Sequence, residues 1–333
     1  MQGMTANFNI TSGFNSLESV HKLRNAGATE LYGGFIPKEI DKKVPVAFQV
    51  LNKRGEDANF SDWNEFKSAV EQARKYDIPV YATFNGLYIE NQYKSILNLI
   101  KKISLLKGIK GIILNDIPLL LLLKKTKYNK EIVISTLGTI FNEYTVQFYK
   151  TFGAKRIILD RQLSTKDLVR IIKSDPSLDY EIFGFGGSCF FIDGYCSFFH
   201  CTEKLDYKNK IINTYNVNQY AAGCNLISNN IINNKQYYEQ KYKKFTACPN
   251  NFIKNFNHSC NLCGLYDLRT LKNISLKVVN RKQATESFVK VVKLATESVN
   301  KAKNKNEYIT TCKKILKKHN FICNSKRCYY KEK

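Results

Sequence analysis

The sequence predicts an α/β chain built on a TIM-like (β/α)8 barrel, with a cysteine-rich insertion between strands seven and eight. Three observations carry that prediction. Eight short, apolar, often β-branched segments alternate mostly with amphipathic helical ones, which is the count and order of a closed parallel barrel. The segment after the first strand reads TSGFNS rather than GxGxxG, so the phosphate loop expected of an open doubly wound sheet is missing. All ten cysteines lie after residue 188, which sets one half of the chain apart chemically.

The strands are expected at residues 7–11, 30–35, 80–85, 111–115, 132–137 and 156–160, then at 180–185 (YEIFGF) and 275–279 (SLKVV). Each is short and apolar, as strands covered on both faces should be. Helical periodicity fills residues 16–25, 62–76 and 92–103, and a closing helix is expected over 283–300. Ser61, Asp62 and Glu65 give the second helix an N-cap and an acidic first turn. The chain therefore divides into strands one to seven (1–186), a lid (187–265), strand eight with its helix (266–302) and a cysteine-containing tail (303–333). The lid leaves from the C-terminal end of strand seven, the end at which barrel enzymes build their active sites.

Composition narrows the function classes. The N-terminal segment MQGMTANFNITSG shows no basic stretch followed by an apolar one, and the longest apolar run, residues 117–123, is far short of a membrane span. A cytoplasmic protein without a membrane span is expected. A net charge of +24 suits a polyanionic partner such as RNA. The excess is overwhelmingly Lys, however, and Asn- and Lys-rich tracts such as SNNIINNKQYYEQKYKK fit an A/T-rich coding bias equally well. If RNA is the partner, the positive charge should gather around the barrel mouth.

Ten cysteines in a reducing compartment point to a metal or cluster site rather than to disulfides. Cys189 and Cys196 are too far apart for a zinc knuckle. Cys260 and Cys263 form C-x2-C, and Cys323 and Cys328 form C-x4-C; together they would make a four-thiolate zinc site. Widely spaced cysteines on the lid also suit a 4Fe–4S cluster, whose ligands need converge only in space. Neither HExxH nor GxSxG occurs, so the common hydrolase mechanisms find no foothold. His200, between Phe199 and Cys201, is a candidate base or ligand, and His258 a candidate ligand or solvated loop residue.

Four segments in register, GATELYGGF, RQLSTKDLVRII, EIFGFGGSCFFIDGYCS and LCGLYDLRTLKNISLKVVNR, resemble the collagenase-like peptidase family, unassigned peptidase family thirty-two. The resemblance runs from residue 14 to residue 281. It implies an iron–sulfur protein supporting oxygen-independent hydroxylation, since members of the family act on a ubiquinone precursor ring, a tRNA wobble uridine or a ribosomal RNA cytidine. It implies a 4Fe–4S cluster held by Cys189, Cys196, Cys224 and Cys263, with Cys201 competing for the third position and Cys248 or Cys260 for the fourth. Two departures stand out: Phe185 replaces the His of many relatives, and Val279 and Asn280 stand where many carry the carboxylate of KIEGR. Lys277, Arg281 and Arg161 remain at the mouth, to hold an anionic group of the substrate or to pair with a barrel carboxylate such as Asp160 or Asp116.

The expected function is hydroxylation or a related modification of an RNA base or small aromatic substrate. The alternatives are a peptidase and a non-catalytic, cluster-binding subunit of a heterodimer with a related protein. A second metal site, zinc or another cluster, is expected from Cys260, Cys323 and Cys328.

Overall fold

The structure is a computed structural model that describes residues 7–37, 51–52, 58–187, 192–195, 259–279, 285–323 and 328–330. Strands β1 (Asn9–Gly13), β2 (Glu30–Gly33), β3 (Val80–Phe84), β4 (Ile109–Leu114), β5 (Glu131–Ile134), β6 (Arg156–Ile158) and β7 (Asp179–Gly186) pair in parallel with their sequence neighbours. A two-residue strand, β8 (Ser259–Cys260), pairs antiparallel to β7. The eighth barrel strand, β9 (Ile274–Val279), lies between β7 and β1 and closes the ring. The expected barrel is present, with strand ends shifted by a few residues.

Among the described residues the α-helices are α1 (Leu17–Ala26), α2 (Trp63–Lys75), α3 (Tyr93–Ser104), α4 (Ile117–Lys125), α5 (Glu143–Thr151), α6 (Thr165–Ser174), the single turn α7 (Leu265–Leu268), α8 (Thr285–Val299) and α9 (Lys305–Lys318). Those that pack on the barrel wall run antiparallel to the strands, so they begin at the mouth. Their first residues are capped by Ser16, Asp62, Asp116, Asn142 and Ser164, each accepting a hydrogen bond from an N–H of the first turn. Asp62, not Ser61, caps α2, because its Oδ1 takes the Glu65 N–H at 2.8 Å. Helix α1 ends at Gly27, whose φ of 107° is left-handed and lets its N–H reach the carbonyls of Leu23 and Arg24. The apolar run expected only to be too short for a membrane is α4, and no described helix is long and apolar enough to cross one.

Register fixes which residues line the lumen. Thr11 pairs with Glu30 and Lys277, Tyr32 with Tyr81, Tyr81 with Gly111, and Arg156 with Asp179. Alternation then points Thr83, Asn115, Ser135 and Asp160 inward at the C-terminal end. Intervening residues such as Leu31, Val80, Ile112 and Ile157 are fully buried under the helices.

One stretch of wall is completed from far away in sequence. Strand β6 pairs with β7 only as far as Glu181. Beyond it, β8 pairs with Phe185 and Gly186, and the Phe183 N–H donates to the hydroxyl of Tyr330 at 2.9 Å. The C-terminal segment is pinned there by the Tyr329 N–H to the Cys260 carbonyl (3.0 Å) and the Thr165 N–H to the Tyr330 carbonyl (3.0 Å). Cys260 and Cys328 form an isolated parallel bridge.

Candidate functional site

The lower lumen holds a buried charge network. Arg156 donates to both carboxylate oxygens of Glu30, at 2.7 and 2.8 Å, and lies 3.5 Å from Glu181. Lys277 donates to the other oxygen of Glu181 at 2.5 Å and sits 3.8 Å from the centre of the Tyr32 ring. The hydroxyls of Thr11 and Ser275 complete Glu30, at 2.7 and 3.2 Å. Burial pushes the Glu30 carboxyl up, but the Arg156 guanidinium outweighs it and holds the group below the usual carboxylate range. Two cations match two anions, so this level is charge-balanced, although Arg156 Nε has no hydrogen-bond partner among the described residues.

Above it the lumen changes character. Thr83 Oγ1, Asn115 Oδ1 and Asp160 Oδ2 are buried and have no hydrogen-bond partner among the described residues. They belong to three different strand ends that converge on one mouth. Beside Thr83, β2 continues into Gly34, where a Cβ would stand 2.3 Å from Asn52 Nδ2, 2.3 Å from Asn59 Oδ1 and 2.6 Å from Thr83 Oγ1. Only glycine leaves that polar recess open. Asn52 donates to Asn59 at 3.2 Å and accepts from the Asn85 N–H at 3.4 Å.

Asp160 is 0% exposed, and its second oxygen takes the Gln162 N–H at 2.8 Å. Burial, reinforced by Asp193, pushes its carboxyl up to about 6 despite the nearby Arg161. A buried carboxyl that titrates near neutrality is suited to holding or moving a proton. Arg161 lies flat over Phe183 (4.1 Å), donates to Asp193 at 2.7 Å and donates to the Gly187 carbonyl at 2.9 Å. Thr136 also donates to Asp193, at 3.2 Å, which seats residues 192–195 against the turn after β5.

Of the predicted cations, Arg161 lies at the mouth and faces Asp193, whereas Lys277 lies in the lower lumen rather than at the mouth, because register sets it level with Thr11 and Glu30, and it faces Glu181. The partners differ from the Asp160 and Asp116 considered from sequence. Asp116 is occupied in capping α4 and in accepting from the Tyr93 hydroxyl at 3.1 Å. Arg281, Cys189, Cys196, Cys224, Cys201, Cys248, His200 and His258 lie outside the described residues.

Of the thiols, Cys260, Cys263, Cys312, Cys323 and Cys328 are described, all unpaired by disulfides. Cys260 and Cys328 meet across their bridge, while Cys323 is exposed. The Cys312 thiol hydrogen-bonds Cys263, and this contact, helped by Lys313 and Lys305, lowers Cys263 to about 7; burial pushes Cys260 up to about 12. Of the contacting pair, Cys263 is the more readily ionised thiol. Among the described residues, no group of three or more His, Cys, Asp or Glu side chains is placed to hold a metal ion. Cys260, Cys323 and Cys328 are brought to one side of the barrel without forming such a group.

Sequence reasoning missed Thr83, Asn115 and the Glu30–Arg156–Glu181 network. Its signal was a charged residue at an inward position of an otherwise apolar strand: Glu30, Arg156, Glu181 and Lys277 each interrupt such a run.

The model of peptidase family U32 matches residues 15–332. The chain belongs to peptidase family U32. The match extends past residue 281, where the quoted motifs stop, so α9 and the C-terminal segment are part of the U32 sequence. A tRNA hydroxylation protein P of Helicobacter pylori (strain J99) is 28% identical over 187 residues, covering 56% of this chain and 41% of the relative. Its namesake in Haemophilus influenzae is 26% identical over 148 residues, covering 43% of this chain and 32% of that protein. The Bacillus subtilis tRNA hydroxylation protein P1 is 29% identical over 132 residues, covering 40% and 31%. This U32 chain spans less than half the length of those relatives in each match. A solved structure, that of the U32 peptidase Mk0906, is 12% identical with a TM-score of 0.44, covering 67% of this chain and 79% of that one.

Proposed function

We propose that this U32 chain supports hydroxylation of a base in RNA, with the base received in the barrel mouth. The observation that carries the reading is the layer formed by Thr83 Oγ1, Asn115 Oδ1 and Asp160 Oδ2, buried polar atoms without partners among the described residues. Each such atom carries an unmet desolvation penalty that a ligand's hydrogen-bonding edge would relieve. Two are acceptors and one is a hydroxyl, which suits a neutral ring bearing N–H or O–H donors. The charge-balanced ion network beneath forms a floor in which each cation already faces a carboxylate. An enzyme acting on a base in folded RNA takes it out of the stack into such a recess. The relatives named tRNA hydroxylation protein P support RNA over a free aromatic substrate.

Within the reading, Asp160 holds or moves a proton at the ring, and Arg161, fixed by Asp193 and Phe183, shapes the wall beside it. Cys189, Cys196, Cys224 and Cys263 would hold a 4Fe–4S cluster, as the motif resemblance implies, and such a cluster supplies one-electron chemistry. Cys260, Cys323 and Cys328 would contribute to a second, zinc or cluster, site. Whether the chain is itself catalytic or works as a subunit with a related protein is separated by the same experiment. Iron and acid-labile sulfide are measured in anaerobically purified chain, followed by incubation with unmodified tRNA and nucleoside mass spectrometry. Cluster and product together support the enzyme. Cluster without product unless a related chain is added supports the subunit. Absence of iron together with hydrolysis of a peptide library would support the peptidase and end this reading.

A further inference from the structure

The +24 charge is unevenly spread. Residues 303–333 contain ten Lys or Arg and two Glu, a net +8, so one third of the excess sits in under a tenth of the chain. Residues 100–130, a stretch of the same length, carry a net +7, so position in the fold rather than density sets the tail apart.

On the barrel itself, charge follows the helix dipoles. Acidic residues occupy first turns at the mouth (Glu18, Glu65, Glu143, Asp167), and basic residues occupy last turns at the opposite end (Lys75, Lys101, Lys125, Lys173). On the barrel helices the rim that meets an incoming polyanion thus carries acids, of which Glu18 is paired with Lys22, and Glu143 and Asp167 with Arg170, and among the described residues it gathers no cluster of unpaired lysines. Helix α9 is the exception. Its buried face, Tyr308, Cys312 and Leu316, packs on α8, where the Tyr308 hydroxyl donates to the Ala295 carbonyl at 3.2 Å. Its last turns expose Lys313, Lys314, Lys317 and Lys318, none of which forms an ion pair with a described residue. The helix delivers these four to the mouth end, because Phe321 just beyond it packs on Phe185 at the end of β7 (5.0 Å between ring centres) and on Phe288 in the first turn of α8 (5.5 Å). Lys313 with Lys317, and Lys314 with Lys318, stack one helical turn apart. Like charges at that spacing repel by a few tenths of a kcal/mol per pair, a penalty that a bound polyanion reverses.

We propose that the lysine face of α9 is the docking surface for the phosphate backbone of the RNA whose base enters the barrel mouth. This rests on the RNA reading of the mouth, and it names the surface that overcomes the acidic rim. The test is fluorescence-anisotropy titration of the full chain with an unmodified tRNA transcript at several salt concentrations. Replacing all four lysines by Gln should weaken binding at least about tenfold and flatten the dependence of log affinity on log salt by about 3. Lys75, Lys101, Lys107 and Lys125, exposed on the opposite end, receive the same substitution as a charge-matched control and should change the slope by less than about 1. The pair Lys314→Gln/Lys318→Gln should give about half the effect, and serves if the fourfold variant unfolds. Equal losses from the α9 and control sets would overturn the docking surface while leaving the RNA reading intact. Wild-type chain that binds tRNA no better at low salt than at high salt would overturn both.

Discussion

Asp160 is the residue whose environment departs furthest from what its sequence neighbours suggest. Its raised pKa means the folded chain binds a proton there that the unfolded chain has lost between about pH 4 and 6. Stability from this group is therefore fully present below the unfolded value and falls as pH rises through the folded one. Asp160→Asn cannot titrate, so urea denaturation should show its stability relative to wild type improving by roughly 1–3 kcal/mol between pH 4 and pH 7. A constant difference across that range would mean Asp160 is ionised and satisfied. Cys263 offers a second check at this scale: Cys263→Ala should bleach the visible absorption of anaerobically purified chain, whereas Cys312→Ala should keep it, since Cys312 only donates to the Cys263 sulfur. Colour surviving in Cys263→Ala would remove it from the ligand set. Arg161 and Lys277 were legible in the sequence as barrel cations, although Lys277 sits lower in the lumen than the mouth position expected of it. Their partners were not, because Asp193 and Glu181 lie 32 and 96 residues away and only barrel closure brings them together.

Among the elements, the wall between β6 and β7 depends on the C-terminal segment. Phe183 gives its buried N–H to Tyr330, so Tyr330→Phe leaves that donor without a partner and should lower stability by about 1–3 kcal/mol. Removing residues 328–333 also strips the buried rings of Tyr329 and Tyr330 and should cost more. Thermal unfolding of both variants measures this, and a truncation as stable as wild type would mean the segment merely rests on the barrel. Nothing in the sequence announces this hook, since a Cys-Tyr-Tyr near a chain end has no periodicity to read. The strands, by contrast, were legible because burial on both faces forces continuous apolar runs. Helix α4 was illegible as a helix for the related reason that IPLLLLLKK is apolar nearly all round and hides the 3.6-residue period.

Across the described residues, the barrel is organised along its axis: helix-dipole charges outside, a neutral ion network in the lower lumen, and at the mouth a layer of polar atoms without partners among those residues. The network is the floor on which that layer stands. Arg156→Leu strands the buried carboxylate of Glu30 and leaves Glu181 to Lys277 alone, and should destabilise the chain by about 3–5 kcal/mol in chemical denaturation. A loss under about 1 kcal/mol would mean water reaches that depth.

A mouth that serves the modification of an RNA base leaves a trace in the cell's RNA. Nucleoside mass spectrometry of total RNA tests it most directly, comparing cells that carry the chain, cells that lack it, and cells complemented with Asn115→Ala or Asp160→Asn. A nucleoside one oxygen heavier than its parent should disappear without the chain, return with the wild type, and stay low with either mouth variant despite normal protein levels. An unchanged set of RNA nucleosides in the deletion strain would contradict it.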